Sequence, residues 1–394
     1  MTRNPLAGRP PAPERPAPTG PDAVGSLTAA VEEGTPGPAP AGARTEQLRE
    51  AFFAGIIAVD EQAALAVLER GLDSGLTPEE VLLEVIGPAQ ARVGAEWAAS
   101  RMSVADEHAA TAISDRAVAA LSRIARNRTP DAPHGLITVA CVVGEWHALP
   151  ARMLAEALQL RGWRVEFLGA NVPVAHLVSR LHATGPDAVA LSCSLPVRLP
   201  GAHATITACQ TAGVPVLAGG AGFGADGRYA RLLGADLWAP TGASAADRLE
   251  ETRHRLPFEF RLPTDPLISL PHLLDQEHNH VSTSHTRLVG VVMDGLGRRL
   301  PAMRDWNDAQ LRHTEEDLAH IVDFLAAALY VDDPELLTDF LTWTAGILTA
   351  RGVPAQSLDA GLELLHAELR ELPRASAMID LGRRSVSRLN TGQG

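Results

Sequence analysis

Between residues 44 and 127 apolar side chains recur at every third or fourth position. Four stretches carry the rhythm: TEQLREAFFAGIIAVD, EQAALAVLERGLDSG, TPEEVLLEVIGPAQARVGAEWAA and SVADEHAATAISDRAVAALSRIARN. That period lines one face of a helix with apolar residues. Thr77 with Glu80 is a capping-box pattern. Gly71, Gly75 and the 100–103 region separate the segments. Four helices joined by short links predict an antiparallel bundle.

The rhythm changes over residues 134–254. Strand-like runs LITVACVV, WRVEFLG, DAVALSC, VPVLAGG and ADLWAP alternate with the helical runs LPARMLAEALQLRG, PVAHLVSRLHATG, GAHATITACQTAG and DGRYARLLG, and ASAADRLEETRHR closes the unit. Such alternation predicts a Rossmann-like or flavodoxin-like α/β domain, a parallel sheet with helices on both faces. Residues 255–271 are proline-rich and read as a linker. Residues 272–394 return to helical patterning, clearest in TEEDLAHIVDFLAAALY, DDPELLTDFLTWTAGILTARG and VPAQSLDAGLELLHAELREL. Residues 1–43 hold ten of the 29 prolines and cannot bury a core, so a disordered Pro/Ala-rich tail is expected.

Composition narrows the function. The 394 residues are 46% hydrophobic and 21% charged, as in soluble globular proteins. No apolar run approaches a bilayer's thickness, and the N-terminus lacks a signal-peptide pattern. A cytoplasmic protein without membrane contact is expected. A net charge of −13 argues against a broad nucleic-acid surface. All 34 lysine-or-arginine positions are arginine, which excludes Schiff-base chemistry and a P-loop lysine. Cys141, Cys193 and Cys209 form no C-x-x-C pair, so neither a disulfide framework nor a zinc site is expected.

Candidate chemistry gathers where the strand-like runs end. Ligands of an open parallel sheet bind beyond its carboxyl edge. His147 follows the first strand, Ser192 and Ser194 the third, Gly219 and Gly220 the fourth. Glycine admits a flat ligand to the backbone; an imidazole can ligate a metal. The spacing runs Glu145-x-His147-x-x-Pro150, 41 residues, Ser192-Cys193-Ser194, 24 residues, Gly219-Gly220. This pattern resembles the cobalamin-binding domain family, whose signature is D-x-H-x-x-G, then S-x-L, then G-G. LGANVP at 168–173 is similar to the family's segment after the second strand.

By that resemblance His147 is the lower axial cobalt ligand, and Glu145 fixes its ring through the other nitrogen. Trp146, Gly169, Val172 and Thr241 join the expected cofactor contacts. The chain departs from the signature in Glu145 for Asp, Pro150 for Gly and Ser194 for Leu. Pro150 suits the first turn of a helix.

The helical segment adds Trp97, nine intervening residues, Glu107-His108, and Arg116 eight residues on. This resembles the light-sensing cobalamin proteins typified by the CarH repressors. There a four-helix cap covers the corrin, and the tryptophan shields an adenosyl upper ligand. The resemblance assigns Trp97, Val104, Glu107 and His108 to the upper pocket. A histidine follows the tryptophan in those repressors and captures cobalt after photolysis. Here Ala98 stands there, so capture from that position is excluded. The first 43 residues carry no helix-turn-helix pattern.

A cap, a cobalamin domain and a C-terminal helical, globin-like domain together resemble the photocobilins, which bind a bilin besides cobalamin. The C-terminal part of this likeness rests on layout. With no cysteine there, biliverdin would be held non-covalently, by His278, His280, His285, Arg287 and His313. The alternative is a solvated histidine cluster beside a dimerisation or partner-binding bundle.

The expected function is therefore a non-enzymatic light sensor. Adenosylcobalamin sits between cap and sheet, and photolysis shifts a homo-oligomer, such as a dimer, or an unidentified protein partner. Rival readings are a corrinoid methyl carrier and a cobalamin-dependent antirepressor. An adenosylcobalamin mutase would need a substrate barrel of about 250 residues, which no segment supplies.

Overall fold

The computed structural model describes residues 41–125, 134–252, 269–350 and 356–391. The expected tail thus lies outside the described residues up to residue 40, and the expected linker from 255 up to 268. Residues 41–43, assigned above to the tail, already belong to the first helix.

The cap consists of α1 (Ala41–Ile57), α2 (Glu61–Asp73), α3 (Pro78–Glu80), a π-helical turn (Val81–Ile86), α4 (Gly87–Ala98) and α5 (Val104–Ala125). Asp60 starts α2 by accepting the Ala63 N–H at 2.9 Å. Thr77 and Glu80 form the predicted capping box. The π turn runs into Pro88, which has no N–H for the Glu84 carbonyl. Arg49 Nε donates to that carbonyl instead, at 3.1 Å. Phe52, Ile56, Leu82, Ile86 and Ile113 fill the cap's core. Each such fully buried side chain contributes about 1.5–3 kcal/mol.

Five parallel strands follow: β1 (Leu136–Cys141), β2 (Arg164–Gly169), β3 (Ala188–Ser192), β4 (Val216–Gly219) and β5 (Leu237–Ala239). Their order is β2-β1-β3-β4-β5, so the switch point lies between β1 and β3. The crossovers are α6 (Ala148–Leu160), α7 (Val174–Thr184), α8 (Leu199–Thr211) and α9 (Arg228–Leu232), and α10 (Gly242–Thr252) follows β5. α6 and α10 cover one face through Ala155, Leu158 and Leu249. α7 and α8 cover the other through Leu177, Leu181 and Ile206. α6 serves two cores, because its Leu149 and Ala157 pack into the cap.

The C-terminal region is helical, as its patterning predicts: α11 (Glu277–Thr283), α12 (His285–Arg299), α13 (Asp308–Val331), α14 (Pro334–Ala350), α15 (Gln356–Glu368) and α16 (Pro373–Thr391). It shares a core with the sheet domain. Ile206, Phe223 and Tyr229 belong to the same buried cluster as Leu325, Leu329 and Leu337. A polar seam runs along this joint. His203 on α8 and the Tyr330 hydroxyl on α13 hydrogen-bond at 2.8 Å. The Tyr229 hydroxyl donates to Asp333 at 2.8 Å, and Arg228 pairs with Asp333 and Glu335.

Candidate functional site

The strand register builds the site's floor. Cys141 lies opposite Ser192, Ser192 opposite Gly219, and Gly219 opposite Ala239. On the other side Ala140 pairs with Gly169. The carboxyl ends of all five strands therefore form one rim, as the spacing predicts.

His147 sits where the β1 loop enters α6. Its ring is fixed from behind. Nδ1–H donates to Glu145 Oε1 at 2.6 Å, and the His147 backbone N–H donates to the same oxygen at 2.9 Å. Glu145 Oε2 accepts from the backbone N–H groups of Ser194 at 2.6 Å and Leu195 at 3.2 Å. Glu145 is completely buried while the His147 side chain is 58% exposed. These hydrogen bonds outweigh desolvation and hold the Glu145 carboxyl below its ordinary range. The same carboxylate raises the His147 pKa above 6.5, with a smaller contribution from Glu107 of the cap.

The loop geometry has its own supports. The Gly144 N–H donates to Asn171 Oδ1 at 2.8 Å, and the Asn171 N–H donates to the Glu145 carbonyl at 2.8 Å. Asn171 adopts φ 48°, a left-handed conformation that asparagine tolerates. Gly220 adopts φ +102°, and a Cβ there would lie 2.4 Å from the Cys193 carbonyl oxygen. Glycine is thus required by the β3 turn behind it. The Arg198 guanidinium lies against Gly144, its Nε buried without a hydrogen-bond partner.

The cap supplies the opposite wall. Glu107 Oε2 lies 2.6 Å from His108 Nδ1, and Thr111 donates to Glu107 Oε1 at 2.8 Å. Gln90 Nε2 donates to Thr111 in turn at 2.6 Å. Trp97 lies in the last turn of α4 and Val104 begins α5, so both stand at the end of the cap that carries Glu107 and His108. Val104 is 55% exposed and Trp146, on the loop below, 69%. Two large apolar groups left open here suit an apolar ligand face.

Other expected contacts have structural duties. Val172 is buried in the sheet domain's core, so its side chain packs inward. The Thr241 hydroxyl accepts the Ser244 N–H at 3.1 Å at the start of α10. Gly169, at φ +81°, would meet nothing within 4 Å if it carried a Cβ, which leaves open space above β2. Asn171 and Arg198 were not anticipated from the sequence, nor was Trp343, whose ring centroid lies 6.2 Å from that of Trp97. LGANVP contains Asn171, and an asparagine after a strand-ending glycine was the available signal.

Three of the five residues expected to hold biliverdin have other partners, and two face solvent. His278 Nδ1 hydrogen-bonds the Ala326 carbonyl at 2.9 Å, and its ring stands edge-on to Tyr330. His285 Nε2 lies 3.2 Å from the Ala319 carbonyl, about two turns away along α13. Arg287 pairs with Glu368. His280 and His313 are exposed. Local helix packing and ion pairing occupy His278, His285 and Arg287.

The lower site fits a corrin. Among the described residues, no three His, Cys, Asp or Glu side chains gather as a metal site. One imidazole, held through Nδ1 and open at Nε2, instead suits a metal whose equatorial ligands arrive with it.

Comparison with known proteins agrees. Residues 135–250 match the B12 binding domain family, and residues 48–122 match a second B12 binding domain family. Dimethylamine corrinoid protein 1 of Methanosarcina acetivorans is 24% identical over 210 residues, 52% of this chain and 97% of that protein. The HTH-type transcriptional repressor CarH of Myxococcus xanthus is 32% identical over 184 residues, 45% of this chain and 58% of CarH. The solved monomethylamine corrinoid protein of Methanosarcina barkeri superimposes with a TM-score of 0.47 at 17% identity, covering 53% of this chain and 99% of that one. A helical cap at 48–122 and a Rossmann-like domain at 135–250 thus make up a B12-binding unit, and the chain is a cobalamin-binding protein.

Proposed function

We propose that the chain is a light sensor that holds adenosylcobalamin between cap and sheet. The observation that carries this reading is the upper wall. Trp97, Val104 and the Glu107-His108 pair sit together at one end of the cap. The same residues carry the resemblance to light-sensing cobalamin proteins. When bound, adenosylcobalamin supplies a cobalt–carbon bond that visible light breaks. The chain's residues do the rest. Glu145 holds His147 in the tautomer that leaves Nε2 open below. With the cofactor bound, Trp97 and Val104 would cover its upper side and shield it from water. A change in upper-ligand size then changes which cap–sheet contacts are satisfied, which any population shift requires. The output in this reading is a change in protein contacts, with a partner or a second copy, without catalysis by the chain.

The corrinoid methyl carrier is the second reading, favoured by the dimethylamine corrinoid protein, 97% of which this chain covers. Biliverdin belongs to the first reading as a further ligand. To bind it, His278, His285 and Arg287 would have to release Ala326, Ala319 and Glu368.

The test is an absorption spectrum of the protein loaded with adenosylcobalamin, with and without biliverdin, before and after visible illumination, with its size measured alongside. A light-dependent cobalamin spectrum with a change in size supports the sensor. An additional bound red-absorbing band adds the bilin. Preference for methylcobalamin with methyl transfer in the dark supports the carrier and removes the sensor.

A further inference from the structure

We propose that the C-terminal helices form a strap across the cofactor cleft, in which Trp343 of α14 is a positioning residue that holds Trp97 over the upper face. The inference rests on the cobalamin reading of the cleft with a bulky organic upper ligand. It gives the C-terminal region a role in the cofactor site.

Trp97 and Trp343 face each other across the boundary between cap and C-terminal region. Their ring centroids are 6.2 Å apart and the planes are tilted by 40°. Such pairs contribute about 0.5–1.5 kcal/mol beyond their buried area. Trp343 remains 45% exposed, so its own helices do not enclose it. It is braced from behind. Phe340, about one turn earlier on α14, lies 6.1 Å from Trp343 and stacks on Phe324 of α13 at 3.8 Å.

The far end of this aromatic row is tied to the sheet. α13 carries Phe324 and also Tyr330, whose hydroxyl bonds the buried His203 of α8. α13 further packs against the Pro196–Arg198 turn, which follows Ser194 on the cofactor rim. One helix pair therefore touches the cap above the cleft and the sheet domain below it. Cap and sheet also meet through α6, where Leu149 and Met153 pack into the cap. Trp343 is fixed to the sheet half and Trp97 to the cap half. A change in the gap between the halves must alter their contact. A large upper ligand works against Trp97 directly; a water ligand does not.

The test is equilibrium binding, in the dark, of adenosylcobalamin and hydroxocobalamin to the full chain, its Trp343→Ala variant and its Trp343→Phe variant. Trp343 is half-exposed, so the variants fold, which circular dichroism checks. The expected result for Trp343→Ala is about threefold to tenfold weaker binding of adenosylcobalamin, with hydroxocobalamin changed less than about twofold. Trp343→Phe recovers most of the loss. Unchanged adenosylcobalamin affinity, or an equal loss for both corrinoids, overturns the strap. If the unaltered chain retains neither corrinoid, the cobalamin reading fails first and the strap with it.

Discussion

Glu145 holds His147 by two hydrogen bonds to one oxygen, from the ring Nδ1–H at 2.6 Å and the backbone N–H at 2.9 Å. Its second oxygen accepts from the Ser194 and Leu195 backbone N–H groups. One buried carboxylate thus ties the β1 loop, the β3 turn and the His147 imidazole together. The longer side chain that departs from the aspartate of the signature reaches all four donors.

Replacing that carboxylate tests its double role. In Glu145→Gln one end of the amide must present N–H to other donors, leaving buried groups unpaired. The expected cost is about 1–3 kcal/mol of stability. Loss of the orienting group should weaken corrinoid affinity by about 10–100-fold. Thermal unfolding and a corrinoid titration measure the two effects separately. An unchanged melting temperature contradicts the assignment.

Gly220 is held by the protein's own backbone. Gly220→Ala would set a Cβ 2.4 Å from the Cys193 carbonyl oxygen at φ +102°. A destabilisation of about 2–3 kcal/mol is expected before any ligand is added. Chemical denaturation of the ligand-free protein reads it. A loss seen only with corrinoid bound would assign the glycine to the ligand instead.

The seam between the sheet domain and the C-terminal helices should weaken in acid. Burial lowers the pKa of His203, and also of His278, below the ordinary 6.5. The unfolded chain then binds more protons than the folded one. Stability from these two groups is complete above 6.5 and is lost as the pH falls toward their depressed folded values. His203→Gln together with His278→Gln should flatten that part of the stability–pH curve. Urea unfolding across the range decides it. An equally steep fall in the double variant removes these histidines as the cause.

Much of this was legible in the sequence because the causes are local. The capping box at Thr77 and Glu80, the three-to-four periodicity of the cap and the alternation that makes a parallel sheet each depend on near neighbours. The rim followed from topology: once β1, β3 and β4 are parallel, His147, Ser192 and Gly219 must share an edge. What escaped is non-local. His203 and Tyr330 are 127 positions apart, and no periodicity links them. Trp97 and Trp343 meet through the packing of whole helices. The proline-rich segment suggested a separate C-terminal domain, whereas the described helices share the sheet domain's core. The histidines assigned to a bilin were chosen by clustering along the chain. In space they turn to the carbonyls of α13 or to solvent.

The most direct test of the account is the origin of the axial nitrogen on cobalt. Chain uniformly labelled with the heavy nitrogen isotope is loaded with unlabelled cobalamin, converted to the paramagnetic divalent state and read by electron paramagnetic resonance. If His147 is the lower ligand, the superhyperfine triplets of ordinary nitrogen become doublets, and in His147→Ala the doublets disappear. Triplets that persist in the labelled protein would mean that cobalamin's own base ligates the metal, and the role assigned to Glu145 and His147 would be wrong.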